Sequence, residues 1–311
     1  MPIPRAARKG HAVVSLVVCW VGLLAAPMRA EDDVPRRITP ERIITISPNS
    51  AEIICELGAC DRIVGVDKFC VYPPPLLHRP RVGGLFDPDL EKIVALRPDL
   101  VVLRGHSDAL ERLCASLEIR IYHDRTETLA DVSVCITELG RLLDREAQAV
   151  KLVDAFHARI AAIRKRVAGR PRPRVFLTYS LQPDRIANVL TAGKGMFLSE
   201  MLEIAGGFNV FGHLDMRYPQ ISTEAIVAQR PDIILQLIPE IEPTDALQEQ
   251  VLDLWRKLGP IPAVENNRVY ILTDDHCLIP SPRYVEIIEK VSRLIHPEPV
   301  GEQPTKSPVK P

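Results

Sequence analysis

Apolar and polar positions along this chain fall into blocks that change period. Short, largely apolar runs recur at Arg42 to Ile46, Leu100 to Leu103, Ile119 to Tyr122, Arg174 to Thr178, Ile233 to Leu235 and Arg268 to Leu272. Runs this short and this apolar predict strands buried on both faces, as in a parallel sheet. Segments with helical spacing lie between them. The longest extends from about Leu129 to Val167, with Leu139, Leu142, Leu143, Val150, Val153, Phe156, Ile160 and Ile163 on one apolar face. Gly169, Pro171 and Pro173 end it. Strands alternating with helices predict an α/β fold.

The pattern occurs twice. Residues 89–103 read DLEKIVALRPDLVVL and residues 222–236 read STEAIVAQRPDIILQ, so Glu, Ile, Val, Ala, Arg, Pro and Asp recur at an offset of 133. Each copy reads as a short helix capped by Asp89 or Ser222 and running into a strand. Pro98 and Pro231 stop the helices, because proline disfavours helical backbone in the residue before it. A weaker match sets AEIICELG (51–58) beside SEMLEIAG (199–206). The spacing therefore predicts two related α/β lobes, residues 38–128 and 170–296, joined by one long helical region over 129–168. The tail after His296 is proline-rich and poor in apolar residues, so 297–311 is expected to be disordered.

The first 30 residues have a different logic. Arg5, Arg8 and Lys9 precede an apolar run from Ala12 to Ala26, which leads through Met28-Arg29-Ala30 into Glu31-Asp32-Asp33. This order predicts a cleaved signal peptide and an exported, periplasmic protein. The run of 15 residues is shorter than a membrane span requires. Six cysteines follow it: Cys55, Cys60, Cys70, Cys114, Cys135 and Cys277. In an oxidising compartment they permit disulfides, with buried free thiols as the equal alternative.

Charge narrows the function. The 39 Lys and Arg nearly balance 40 Asp and Glu, for a net charge of −1. Nucleic acid is not an expected partner, because binding it needs a basic surface. With 2 Trp, 6 Tyr and 7 Phe, an aromatic pocket has few residues to draw on. The chain has no GxSxG elbow, and Ala192-Gly193-Lys194-Gly195-Met196 fits neither a phosphate loop nor a dinucleotide loop. Its glycines suit a tight turn near a cleft.

Four segments, RIITISPNSAEIICELGACDRIVGVDKFCVYPPP, LEKIVALRPDLVV, AGKGMFLSEMLEIAGGFNV and VYILTDDHCLIPSPRYVEIIEKVSRLIHPE, together resemble the helical-backbone class of periplasmic substrate-binding proteins. These serve ABC importers for vitamin B12, iron–siderophore complexes and haem, and the similarity covers residues 42–297. The resemblance implies two Rossmann-like lobes with the ligand between them. It implies a monomeric, non-catalytic binding protein with no resident cofactor and no protein-bound metal. The ligand would be a metal chelate, cobalamin or another corrinoid first and ferric siderophore or haem second. A secreted α/β enzyme on the same duplicated scaffold is the alternative of a different class.

Candidate residues follow. The resemblance gives Glu91 and Glu224, each second in its helix, the role of docking to the two like membrane subunits of the importer. It gives Phe69, Tyr218 and Asp275 contacts with a corrin ring. The chain departs from the family's aromatic pattern at Leu85, beside which Phe86 stands, and at His276. Ligands should bind at the carboxyl ends of the strands, which adds Tyr72, Arg104, His106 and Tyr179 to the site. Haem iron would take a His or Tyr, and an anionic siderophore would use Arg104 or Arg185. Arg283 reads as a structural contact of the last helix.

Overall fold

The computed structural model describes residues 39–179, 186, 189–239, 241–242 and 244–297. The predicted signal peptide and nearly all of the predicted tail lie outside the described residues, as do Ser180 and Arg185. The first lobe runs β1 (Ile43–Ile46), α1 (Pro48–Glu56), β2 (Ile63–Val66), α2 (Leu90–Ala95), β3 (Leu100–Arg104), α3 (Asp108–Ser116) and β4 (Arg120–Asp124). Then come α4 (Leu129–Leu142) and α5 (Glu146–Val167). The second lobe runs β5 (Arg174–Thr178), β6 (Val189–Leu190), α6 (Phe197–Ile204), β7 (Phe208–Asn209), β8 (Gln220–Ile221), α7 (Thr223–Gln229), β9 (Ile233–Leu237), α8 (Asp245–Arg256), α9 (Pro262–Glu265), β10 (Val269–Leu272) and α10 (Val285–Ile295).

The duplication is a duplication of topology. One sheet has the order β2-β1-β3-β4, and the other, read from its opposite edge, has β7-β5-β9-β10. Every pairing in both sheets is parallel. The repeated Arg-Pro-Asp has a physical job in each copy. Arg97 and Arg230 take left-handed backbone, φ 44° and 46°, and turn the chain from helix into strand. The carboxylate after the proline then holds the first strand of the lobe. Asp99 accepts from the Glu41 and Arg42 amides, and Asp232 accepts from the Arg174 amide. In return the guanidinium of Arg42 donates to the Leu96 and Arg97 carbonyls, and that of Arg174 to the Gln229 carbonyl.

The long helical region differs from expectation. It is two helices, broken at Leu143–Arg145, where Asp144 has φ 55°. The helices α4 and α5 pack on each other. A side chain at Gly140 would stand 2.5 Å from the Ala149 Cβ, so glycine permits that approach. Helix α4 lies on α1, and α10 lies on α6, so each lobe covers its own first helix. Only α5, 22 residues long, is the backbone helix: it packs against α4 on one side and against α6 and α10 on the other. Phe156, Ile160 and Ile163 of α5 join one apolar cluster that includes Ile43 and Leu100 of the first lobe and Leu177 and Leu235 of the second. A second cluster, confined to the second lobe, centres on Phe176, whose ring meets Phe211 and Trp255 edge-on at 5.7 and 5.8 Å.

Cys55 and Cys60 form a disulfide that ties the end of α1 to the following turn, while Cys70, Cys114, Cys135 and Cys277 are buried free thiols. The central position of Phe176 sets an expectation for stability. Phe176→Ala should cost about 3–5 kcal/mol, the scale of a fully buried phenyl left as a cavity, read as a lower denaturant midpoint at unchanged slope.

Candidate functional site

Both sheets end on the side where the lobes meet. A buried polar cluster underlies the first-lobe part of this junction. The Asp124 carboxylate, at the end of β4, accepts from the Ser47, Ser50 and Thr126 hydroxyls at 3.0, 2.8 and 2.6 Å and from the Thr126 amide. Ser47 and Asn49, on either side of the first residue of α1, are buried at this cluster.

Above it stand the first-lobe candidates. Phe69 is 55% exposed, with Lys68 over its ring and Lys68 in turn paired with Asp87 at 2.7 Å. Leu85 is partly buried and packs over Gly105 against the first-lobe core. Phe86 beside it is 95% exposed. The half-buried Arg104 donates to the Thr126 carbonyl at 2.7 Å. His106 lies out in solvent between Asp108 and Glu111, at 2.6 and 2.7 Å, and their carboxylates raise its pKa.

The second lobe contributes Tyr218, 46% exposed, whose hydroxyl donates across the junction to the Glu127 carboxylate at 3.0 Å. Burial and the Glu127 charge raise its pKa. Tyr179 donates to the Thr191 carbonyl, and burial pushes its phenol up to about 12. Gly193 brings two loops of this lobe into contact: a Cβ there would meet the Met216 carbonyl at 1.8 Å.

The densest contact between the lobes was not legible in advance. Arg283, read from sequence as a contact of the last helix, instead spans the junction. Its guanidinium donates to Glu52 of α1 at 2.8 Å and to both oxygens of Asp275 at 3.1 Å. It also lies 3.8 Å from the centre of the Tyr72 ring, which ties Tyr72 to this clasp. Ser281 donates to the same Glu52, which is 2% exposed. Asp275 accepts from His276 at 2.8 Å. Burial works to raise the Asp275 pKa, but the hydrogen bonds from Arg283 and His276 outweigh it and hold the carboxyl ionised below its ordinary range. His276 is buried, with its Nε2 unpartnered 3.8 Å from Glu286. It braces Asp275 and presents little surface to a ligand.

A second clasp runs the opposite way. Glu200 of α6 accepts from the Leu129 amide at the start of α4 at 2.6 Å, and the Phe197 amide donates to the Glu127 carbonyl. Glu52 and Glu200 are the equivalent residues of the weaker sequence match (A-Glu-I-I and S-Glu-M-L), and that alignment was the one signal that could have found them.

Glu91 and Glu224 are exposed second residues of α2 and α7, behind the caps Asp89 and Ser222. Hydrogen bonds from its own helix start lower the Glu224 pKa. No group of three or more His, Cys, Asp or Glu placed to hold a metal occurs among the described residues. Burial pushes the Cys70 and Cys277 thiols up to about 12, which disfavours thiolate ligation.

Comparison with known proteins gives a consistent result. Residues 43–276 match the periplasmic binding protein family. The vitamin B12-binding protein of Vibrio cholerae serotype O1 is 28% identical over 287 residues, covering 90% of this chain and 96% of its own. The crystal structure of the periplasmic vitamin B12 binding protein BtuF of Vibrio cholerae superposes with a TM-score of 0.69 at 27% identity, covering 82% of this chain and 96% of its own. The periplasmic haem-binding protein RhuT from Roseiflexus sp. RS-1, in apo form, superposes with a TM-score of 0.69 at 25% identity, covering 82% and 98%.

Asp67 supports the Phe69 loop and generates a test. Its buried carboxylate accepts from the Phe69 amide at 2.9 Å. Burial pushes its pKa up to about 6 against the hydrogen bonds of Phe69 and Cys70 and the charges of Arg81 and Lys68. Between the ordinary carboxylate range and about pH 6 the folded state therefore binds a proton that the unfolded state releases. Stability from this group rises as pH falls through that window. Melting curves at pH 7 and pH 5 should show a smaller gain on acidification in Asp67→Asn than in the wild type. An equal gain would mean that Asp67 does not titrate as described.

Proposed function

The chain belongs to the periplasmic binding protein family, and we propose that it captures cobalamin or a related corrinoid and delivers it to an ABC importer. Its relatives include B12-, haem- and siderophore-binding proteins, so the choice of ligand rests on this chain's own residues. In this reading residues 1–30 are a signal peptide, and the mature protein works as a monomer in the periplasm.

The observation that carries the corrinoid reading is Asp275. It sits at the junction as a carboxylate, and its cation, Arg283, is shared with Glu52. Such a group attracts N–H donors and repels anions. A corrinoid carries amide groups around its rim. Haem carries propionates, and many siderophores carry carboxylates. Phe69 and Tyr218 supply exposed aromatic faces for a flat ring, one from each lobe. A corrinoid also brings its cobalt ligands with it or takes them from water. Iron in haem would need a His or Tyr; the Tyr179 hydroxyl and both His106 nitrogens are hydrogen-bonded, and His276 is buried beside Asp275. Arg104 favours the second reading, haem or ferric siderophore, because a half-buried guanidinium at the end of β3 suits a carboxylate. Glu91 and Glu224 serve as docking carboxylates on equivalent helix starts of the two lobes, matching the two like subunits of an importer.

Absorbance and calorimetric titration with cyanocobalamin, haem and a ferric siderophore test the reading. Cyanocobalamin should bind tightest, and a preference for either iron chelate would reject it. Phe69→Ala and Tyr218→Ala should each weaken cobalamin binding by about 1–3 kcal/mol, the scale of a buried aromatic contact. Unchanged affinity in both would remove these rings from the site. The double change Glu91→Ala, Glu224→Ala should leave affinity intact while slowing uptake in vesicles that carry the cognate importer. Normal uptake would end the docking assignment.

A further inference from the structure

The guanidinium of Arg283 lies between two carboxylates that belong to different lobes. On the first-lobe side stand Glu52 and the Tyr72 ring. On the second-lobe side stands Asp275, with Ser281 completing the shell of Glu52. Glu52 is too deeply buried to meet a ligand, and Asp275 is one-third exposed at the junction. The geometry points to Arg283 and Glu52 as positioning residues for ligand recognition: Glu52 of one lobe anchors the guanidinium that orients Asp275 of the other, so the ligand-reading carboxylate is fixed relative to the first lobe only while the lobes are apposed. This assignment rests on the proposed role of Asp275 as a ligand acceptor and extends it to two residues that touch no ligand.

Three features support it beyond the contacts themselves. The fork of an Arg satisfies two carboxylates at fixed angles, which a Lys cannot do. Both oxygens of Asp275 are held, by Nη1 and Nη2 of Arg283, and His276 adds a third donor. The chain from Glu52 through Arg283 to Asp275 also fixes the position of a second-lobe acceptor relative to the first lobe that carries Phe69. Separation of the lobes would break the Glu52 contact and release Asp275 from that position. Capture and release would then be governed by the same ion network.

The surroundings of Asp275 define the controls. Arg283 and His276 face it directly, and Glu52 acts through Arg283. From α10, Lys290 is paired with Asp274 at 2.7 Å, and Glu286 stands 3.8 Å from His276. From α5, Arg159 approaches Glu286 at 3.9 Å. None of these other groups replaces Arg283 as a partner of both lobes.

The test uses the full-length mature protein, Glu52→Gln, and the double variant Glu52→Gln, Arg283→Met, which leaves no buried orphan charge. The Asp275 carboxyl is followed by carbon NMR of aspartate-labelled protein, its resonance assigned with Asp275→Asn, and cyanocobalamin affinity is measured against pH. In Glu52→Gln, Kd should rise roughly tenfold, within the coupling expected of one charge network. Its Asp275 midpoint should stay no higher than in the wild type, because Arg283 is left wholly to Asp275. In the double variant the Asp275 midpoint should move to higher pH, and the pH at which cobalamin affinity falls should move with it. A role limited to stability would lower the melting temperature without moving either midpoint. Wild-type affinity in Glu52→Gln, or an unmoved Asp275 midpoint in the double variant, overturns the assignment. A wild type that binds no cobalamin strikes the proposed function instead, and the ligand-free titration then decides alone for or against the hold of Arg283 on Asp275.

Discussion

Each lobe sends a glutamate from its first helix into the other lobe, and neither carboxylate is satisfied at home. Glu52 depends on Arg283 and Ser281, and Glu200 depends on the amide of Leu129. Leaving a buried charge unpaired costs several kcal/mol. That cost applies to Glu52, which is buried, whereas the half-buried Glu200 would lose its Leu129 hydrogen bond to water, and the apposed state is the one in which both are met. The apolar core works in the same direction, because α5 lends its buried face to both lobes at once. A hinge built this way permits small rotations and resists wide separation.

The crossed glutamates also decide where function can sit. They tie α1 to the start of α10 and α6 to the start of α4, close to the carboxyl ends of the strands. The residues beside those ties are the ones with free surface and chemistry: Phe69 and Arg104 on one lobe, Tyr218 and Asp275 on the other. The carboxylates proposed for docking stand in the opposite environment. Glu91 and Glu224 are exposed at helix starts and belong to no tie between the lobes.

Much of this was legible in the sequence, and the limits have physical causes. Strand runs and the duplicated Arg-Pro-Asp were readable because they are local: a turn, a cap and a strand lie within fifteen residues of each other. The break between α4 and α5 was not readable, because an apolar stripe continues across Leu143–Arg145 at nearly the right phase while the backbone reverses at Asp144. Phe69 and Tyr218 are exposed, and Leu85 is partly buried over Gly105, a packing that composition does not record. The structural role of Arg283 was readable but its partner was not, because Glu52 lies 231 residues away and a pair so distant leaves no periodic trace in one sequence. Equal expectations for disulfides and free thiols ended with one bridge between cysteines five apart and four thiols in the core.

The two crossed contacts are equivalent in position and unequal in chemistry. Glu52 is bonded to a guanidinium, and Glu200 accepts from the Leu129 amide; burial raises the Glu200 pKa, with the Leu129 hydrogen bond and the more distant Arg164 charge opposing it. Symmetric duplication would have given both lobes the same partner. Arg283 stands on the side where a second carboxylate, Asp275, faces the junction; on the other side Tyr218 and Glu127 meet as a hydroxyl and a carboxylate, within reach of the Arg104 and Arg217 charges. A duplicated scaffold whose ligand lacked two-fold symmetry would need such a difference. The Arg283 clasp can orient an acceptor for polar groups at one edge of a flat ligand, while Tyr218 offers an aromatic contact at the other. Divergence between the halves is thus concentrated where the ligand would touch them, and the equivalence of Glu91 and Glu224 is kept where two like subunits would.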